Sequence, residues 1–313
     1  MDGLRFGLVA AGTAVASCVS LRWALHALTS SPKQKTLSYK VHGLPLKKGT
    51  PVIAMLSGFP DDHGSFSEVI PRFSSTHSVV TCVMPDYDTR KLAHYWGYSL
   101  PQVTEMFRET LKEVVPEEEK ATLVAHDWGA YVAQMYLLRP ESLRYVDRLV
   151  LMDVGPEPEQ TPGNFLAIAT YQTYLSFAFL VSRLTFDLLG DILLALFPWK
   201  LVGPCPNETK VPPRTSGIPI SARMAYPYFW VQYALLFNKS SLRVKPPAKS
   251  DAPLSVPTTY VFGRNKRACF HTQKFLKRLN ETDGFSYEEL DCGHFIQVQM
   301  PDELERIIRK RIS

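Results

Sequence analysis

Short, continuous apolar runs recur along the chain, and their spacing constrains the fold more than any other feature. They occupy residues 51–56, 78–84, 121–125, 148–152 and 258–262. Between them lie stretches with helical spacing, such as residues 103–115 and 130–138. Buried strands that alternate with amphipathic helices are typical of a mostly parallel sheet covered by helices. We therefore predict an α/β fold.

The strand pattern is interrupted once. Residues 156–253 are aromatic and helix-like with many prolines, and the strand pattern then resumes at residue 258. A sheet interrupted by one helical insertion is typical of an enzyme core with a lid over its site. We predict core segments at residues 31–155 and 254–313, with a helical lid at 156–253.

The composition of the chain limits the kinds of partner and ligand that we expect. The formal net charge of the 313 residues is +5, and no basic stripe interleaved with aromatic residues runs through the body of the chain. We therefore do not expect nucleic acid as a partner. The five cysteines are scattered without zinc-type spacing, so we expect neither a disulfide framework nor a metal site.

The N-terminal segment, residues 1–30, contains 16 uncharged residues from position 6 to position 21. A membrane anchor is the favoured interpretation, followed by a mitochondrial presequence and a cleaved secretory signal. Cations after the stretch outnumber those before it, which favours an endoplasmic-reticulum-type anchor with the catalytic domain in the cytosol.

Residues 125–129 read Ala-His-Asp-Trp-Gly between a predicted strand and a predicted helix. Small residues two before and two after a central nucleophile are typical of a nucleophile elbow, a tight turn that exposes one side chain. The central residue is Asp127, and no G-x-S-x-G motif occurs in the chain. An aspartate that only caps the following helix is the structural alternative.

Three motifs in one order carry a family resemblance: Ser57-Gly58-Phe59-Pro60, the His-Asp-Trp-Gly-Ala run from residue 126, and Cys-Gly-His-Phe from residue 292. Over about residues 50 to 310 the chain resembles the epoxide hydrolase and haloalkane dehalogenase branch of the α/β-hydrolase fold. The resemblance implies Asp127 as nucleophile and His294 as the catalytic histidine.

The acid that orients the histidine departs from the family pattern. The resemblance places it in a G-x-x-D motif after the lid, but this chain has Lys266 there, and a lysine cannot orient an imidazolium. Some family members take the acid from the strand before the lid, where this chain has Asp153. We assign Asp153, with Asp291 as a weaker substitute.

The resemblance also implies an oxyanion hole and acidic groups from the lid. The backbone N–H groups of Phe59 and Trp128 are expected to bind the oxyanion, with Ser57 in place of the family's usual histidine. Two lid tyrosines are expected to protonate the epoxide oxygen. Tyr171 resembles the first, and either Tyr226 or Tyr228 is the second.

These residues predict a hydrolase that opens a small lipophilic epoxide to a diol through an Asp127 ester, without cofactor or metal. A haloalkane dehalogenase is the first alternative, although Phe59 replaces the asparagine that commonly helps to bind halide. A hydrolase-fold scaffold without activity is the second, and Lys266 is its best support.

Overall fold

The computed structural model describes residues 34–90, 93–206, 208–239 and 254–312. A seven-stranded sheet forms the centre of this part of the chain. Its strands in chain order are β1 (Ser38–Gly43), β2 (Val52–Leu56), β3 (Ser78–Val83), β4 (Ala121–His126), β5 (Val146–Met152), β6 (Thr258–Gly263) and β7 (Ser286–Leu290).

The strand order across the sheet is β1-β3-β2-β4-β5-β6-β7. Only β1 runs antiparallel, against β3, and every other pair is parallel. Every residue of β2, β3, β4 and β6 is buried, which explains why these strands read as unbroken apolar runs in the sequence. The predicted α/β fold is confirmed.

Helices complete the layers on both faces. They are α1 (Ile70–Phe73), α2 (Leu100–Val114), α3 (Trp128–Leu137), α4 (Pro162–Leu184), α5 (Asp187–Leu196), α6 (Trp199–Val202), α7 (Tyr226–Leu236), α8 (Gln273–Glu281), α9 (Ile296–Gln299) and α10 (Pro301–Ile312). Short 3-10 helices lie at His63–Phe66, Pro140–Arg144 and Ala222–Ala225.

Helices α4 to α7 all fall between β5 and β6 in the chain, and we call the described residues 156–239 the insertion. Within it, α4 packs against α5 and α7. The segments that follow β2, β4, β5, β6 and β7 all start at the carboxyl edge of the sheet, where ligands of parallel sheets bind. The boundaries of the predicted lid stay a prediction, and residues 1–30, with the predicted anchor, lie outside the described residues.

Candidate active site

Asp127 occupies the sharp turn between β4 and α3. Its backbone has φ 53° and ψ −126°, a conformation that costs energy for any residue with a side chain. The turn also needs a glycine two residues later, since a Cβ atom at Gly129 would lie 2.4 Å from the carbonyl oxygen of Leu56. This is the geometry of a nucleophile elbow.

The loop after β2 approaches Asp127 from the neighbouring strand. The backbone N–H of Phe59 donates to Oδ2 of Asp127 at 2.7 Å, and the backbone N–H of Trp128 donates to the same carboxylate. The loop can approach this closely because residue 58 is a glycine. A Cβ atom at Gly58 would lie only 2.3 Å from Oδ2 of Asp127. The two predicted oxyanion donors therefore converge on one carboxylate group.

His294 lies in the loop after β7, between Asp127 and Asp153. Its Nδ1 donates to Oδ2 of Asp153, and its Nε2 lies 3.8 Å from Oδ1 of Asp127. Asp153 follows β5 with φ 68°, and its side chain is fully buried. The structure thus brings together the three residues that were predicted as nucleophile, acid and histidine, in that chain order. Asp291, the weaker substitute, instead pairs with Arg264 at 3.0 Å on the surface.

Electrostatics at these three residues follow from burial and from their mutual contacts. Burial lowers the pKa of His294, but Asp153 and Asp127 outweigh it and raise that pKa to about 9. Burial raises the pKa of Asp127, and His294 and the two backbone N–H donors oppose it. Burial also acts to raise the pKa of Asp153, yet Lys266 and His294 hold that pKa far below its usual value.

Lys266 stands in the loop after β6, where the family pattern has an acid. Its Nζ lies 2.5 Å from Oδ1 of Asp153, and only 4% of its side chain is exposed. The backbone N–H of Gly263 donates to the same oxygen at 3.3 Å. Lys266 departs from the family pattern in the sequence, and in the structure it contacts Asp153, the residue predicted to take the place of the missing acid.

Two of the three candidate tyrosines lie beside Asp127, and the third does not. Tyr171 on α4 and Tyr228 on α7 lie with their ring centroids 5.9 Å apart, and both line a cavity together with Asp127. Burial raises the pKa of both hydroxyls, with Asp127 adding to it, so both stay protonated donors.

Tyr226 is placed elsewhere. Its hydroxyl donates to the carbonyl oxygen of Pro85 at 3.1 Å, and its ring packs on Tyr87 and Tyr98. It lines neither of the two cavities that reach Asp127. Tyr226 and Tyr228 were the two alternatives for the second tyrosine. Only Tyr228 lies at the cavity that contains Asp127. The reason is that the side chains at positions 226 and 228 point to different sides of the first turn of α7.

A buried polar group behind the nucleophile was missed by the sequence reasoning. The ring of His126 lies 4.4 Å from that of His294, centroid to centroid, and its Nε2 donates to the backbone carbonyl of His294 at 2.9 Å. Burial lowers the pKa of His126 to about 3, so its ring is neutral. Burial raises the pKa of Asp61, 3.9 Å from His126, to about 7.

Glu208 was also missed. It comes from the insertion and accepts a hydrogen bond from the backbone N–H of His294 at 2.6 Å. The side-chain amide of Gln299 donates to its other oxygen. Glu208 therefore connects the insertion to the loop that carries His294 by a hydrogen bond. Nothing in the sequence pattern marked Glu208, because it lies in no strand and no recognisable motif.

Two cavities, of about 770 and 540 Å³, meet at Asp127. Asp127, Tyr171 and Phe270 line both of them. The smaller cavity also includes Tyr228 and His294. Most of the other lining side chains are apolar, as is typical of sites that bind small lipophilic molecules. Among the residues that the structure describes, no group of three or more His, Cys, Asp or Glu side chains is placed to hold a metal ion.

Comparison with known proteins agrees with this architecture. A model of the alpha/beta hydrolase family matches residues 53–307, which is most of the chain. The chain belongs to this family. A curated relative, epoxide hydrolase 2 of Caenorhabditis elegans, is 32% identical over 108 residues, which cover 34% of this chain and 29% of the relative.

Solved structures share the fold at low sequence identity. An epoxide hydrolase from Bacillus megaterium with a bound inhibitor superposes with a TM-score of 0.59 at 19% identity, covering 88% of this chain and 95% of that one. A haloalkane dehalogenase loop variant from Bradyrhizobium elkanii gives 0.56 at 14% identity, covering 87% and 91%. An esterase from a marine microorganism gives 0.55 at 12% identity, covering 88% and 99%. At these identities the likeness concerns the fold alone.

Proposed function

We propose that this chain hydrolyses an epoxide to a diol through a covalent ester on Asp127. The proposal rests on one observation: the two carboxylate oxygens of Asp127 have different neighbours. Oδ2 accepts the N–H of Phe59, and the N–H of Trp128 donates to the same carboxylate, whereas Oδ1 lies 3.8 Å from Nε2 of His294. Oδ1 is therefore the nucleophile, and Oδ2 becomes the carbonyl oxygen of the ester.

In the first step, Oδ1 of Asp127 attacks a ring carbon and the carbon–oxygen bond of the epoxide breaks. The ring oxygen takes a proton from Tyr171 or Tyr228, whose hydroxyls remain protonated at neutral pH because both are buried. The product is an alkyl ester whose Oδ2 keeps its hydrogen bond from the Phe59 N–H.

In the second step, His294 takes a proton from a water molecule that attacks the ester carbonyl carbon. The negative charge that develops on Oδ2 is stabilised by the N–H groups of Phe59 and Trp128. Asp153 holds the Nδ1 side of the imidazole and stabilises the imidazolium. Collapse of the intermediate breaks the ester bond, and the leaving oxygen takes the proton that remains on the attacking oxygen, so that the diol is released and Asp127 is again a carboxylate. The imidazolium proton then passes through solvent to the tyrosinate left by the first step and restores its hydroxyl.

Dehalogenation uses the same nucleophile but needs two donors for the halide. The side chain of Phe59 supplies none, and its ring packs edge-on against Tyr228 at 5.3 Å. Phenolic donors are instead what the oxygen of an opening epoxide requires. These contacts favour the epoxide over the haloalkane.

The substrate we propose is small and lipophilic, because the cavity junction is mostly apolar. We also propose that the N-terminal segment attaches the enzyme to a membrane, of the endoplasmic reticulum rather than the mitochondrion. In the part of the chain that the structure describes, α4 alone is long and apolar enough to cross a membrane, and one third of its most apolar window is buried inside the protein. If the anchor exists, the full chain stays with membranes during alkaline carbonate extraction, and its release into the supernatant contradicts it.

Trapping of the ester tests the enzymatic proposal. His294→Gln removes the base of the second step but leaves Asp127 able to attack, so incubation with styrene oxide gives a protein whose mass increases by one epoxide. Asp127→Ala is the matched control and gains no mass. An adduct from a haloalkane with release of halide identifies a dehalogenase. A folded His294→Gln protein that forms no adduct with either reagent contradicts the ester mechanism.

A further inference from the structure

The ammonium group of Lys266 is a buried cation to which the proposed mechanism gives no role. Its side chain is 4% exposed and that of its partner Asp153 is fully buried. Burial of a charged lysine costs several kcal/mol unless a charged partner offsets it. A position that needs only to fill space would be occupied by an apolar residue at lower cost.

The contacts of Asp153 show what the lysine does. Oδ2 accepts the Nδ1–H of His294, whereas Oδ1 accepts Lys266 Nζ at 2.5 Å and the Gly263 N–H at 3.3 Å. Both oxygens are thus engaged from opposite sides, and the carboxylate cannot rotate about its terminal bond without losing a charge-assisted hydrogen bond. The plane of the carboxylate in turn fixes the plane of the imidazole.

We propose that Lys266 is a positioning residue of the Asp153–His294 pair: its ammonium fixes the carboxylate of Asp153 and draws part of that negative charge away from His294. The proposal rests on the function proposed above only for its kinetic consequence. Lys266 does not touch the reacting atoms, and its effect reaches the reaction through Asp153.

The charges around His294 explain why this matters. Two carboxylates, Asp127 and Asp153, favour the imidazolium, and Lys266 opposes them. The remaining groups that face His294 are the neutral ring of His126 and the carboxyl groups of Asp61 and Glu208. Of these, Glu208 contacts the backbone of His294 rather than its ring.

The balance changes during the reaction. When Asp127 becomes an ester it loses its charge, and Asp153 alone then stabilises the imidazolium. With Lys266 present, the ammonium offsets part of the charge of Asp153, so the imidazolium loses its proton at lower pH and the neutral imidazole is available as a base. Without Lys266, the full charge of Asp153 acts on the imidazole and keeps it protonated to higher pH. The lysine therefore makes His294 a base at the step that needs one.

Titration of His294 in the full chain tests this without any substrate. The imidazole signal is followed by NMR and assigned by its loss in His294→Gln. Removal of the charge in Lys266→Met, or in Lys266→Gln, which keeps a donor for Oδ1, raises the pKa of His294 by about one pH unit. Lys266→Arg keeps the charge and leaves the pKa near that of the wild type. Lys277→Met, at an exposed lysine of α8, is the matched control and changes nothing.

A second measurement connects the titration to the reaction. In Lys266→Gln, the acidic limb of the single-turnover rate of ester hydrolysis moves to higher pH by the same amount, while the rate of ester formation at its pH optimum changes less. A pKa of His294 that is unchanged or lower in both Lys266→Met and Lys266→Gln overturns the proposal, even if both variants are less stable. Because the titration needs no substrate, a chain that does not hydrolyse epoxides still gives a decisive result for Lys266.

Discussion

Oδ1 of Asp127 lies 3.8 Å from Nε2 of His294, while Oδ2 of the same carboxylate accepts the Phe59 N–H at 2.7 Å. The two oxygens of one side chain therefore have different surroundings before any substrate arrives. Oδ2 is held by a backbone donor, and Oδ1 faces His294.

Replacement of Asp153 by Asn removes the charge that orients His294. Ester formation continues, but ester hydrolysis slows by on the order of 10³-fold, because the imidazole loses its fixed tautomer and the charge that stabilises its protonated form. Rapid-quench analysis of a single turnover separates the two rates. Asp291→Asn, at the exposed aspartate paired with Arg264, serves as the control and leaves both rates intact. Equal loss in the two variants contradicts the assignment of Asp153.

Tyrosine variants distinguish donors from packing residues. Tyr171→Phe and Tyr228→Phe each slow ester formation by about 10²-fold, because a ring oxygen that leaves without a proton is a poor leaving group. Tyr226→Phe keeps the rate and lowers the free energy of unfolding by about 1 kcal/mol, since only the hydrogen bond to Pro85 is lost. Pre-steady-state kinetics and urea unfolding measure the two effects. A rate loss confined to Tyr226→Phe contradicts the placement of the donors.

The close packing at the elbow is tested at Gly129. An added methyl group there would lie 2.4 Å from the carbonyl oxygen of Leu56, so Gly129→Ala lowers the free energy of unfolding by about 1–3 kcal/mol and displaces Asp127. Gly163 in α4 has no atom within 4 Å of a built Cβ, and Gly163→Ala stabilises by about 0.5–1 kcal/mol. Denaturant unfolding of both variants checks the contrast, and equal effects contradict it.

The stability of the free enzyme depends on pH through His294. The folded-state pKa of about 9 lies above the value of about 6.5 expected in the unfolded chain. Protons therefore stabilise the fold, with the full contribution below about pH 6.5 and its loss as the pH rises toward about 9. The contribution is on the order of 3 kcal/mol. The decline between these pH values is smaller in His294→Gln, as urea unfolding at several pH values measures. An identical decline in both proteins contradicts the raised pKa.

The sequence predicted the fold because buried parallel strands need continuous apolar runs, and these are visible without a structure. The run predicted at residues 121–125 is β4 (Ala121–His126), and the run at 258–262 is β6 (Thr258–Gly263). The ends of the strands then place Asp127 and His294 at one edge of the sheet. Chain order and strand edges therefore located the central pair.

The rest of the site depends on how the insertion packs on the core, which no strand pattern encodes. Tyr226 and Tyr228 are two residues apart, and only the direction of the first turn of α7 decides which one reaches the cavity. Glu208 contacts the backbone of a residue 86 positions away. In the sequence, Lys266 suggested a loss of activity, because its partner Asp153 follows a different strand and the contact between them is not visible. These relationships are long-range contacts of side chains and are visible only in three dimensions.

The fate of the water oxygen in a single turnover tests the ester mechanism most directly. Excess enzyme reacts with an epoxide in water enriched in heavy oxygen, and the diol and the peptide that contains Asp127 are then weighed by mass spectrometry. Attack of water on the ester carbonyl places the heavy oxygen in the carboxylate of Asp127 and leaves the diol unlabelled in this first turnover. Heavy oxygen in the diol, with none in Asp127, shows that water opens the epoxide directly and contradicts the account.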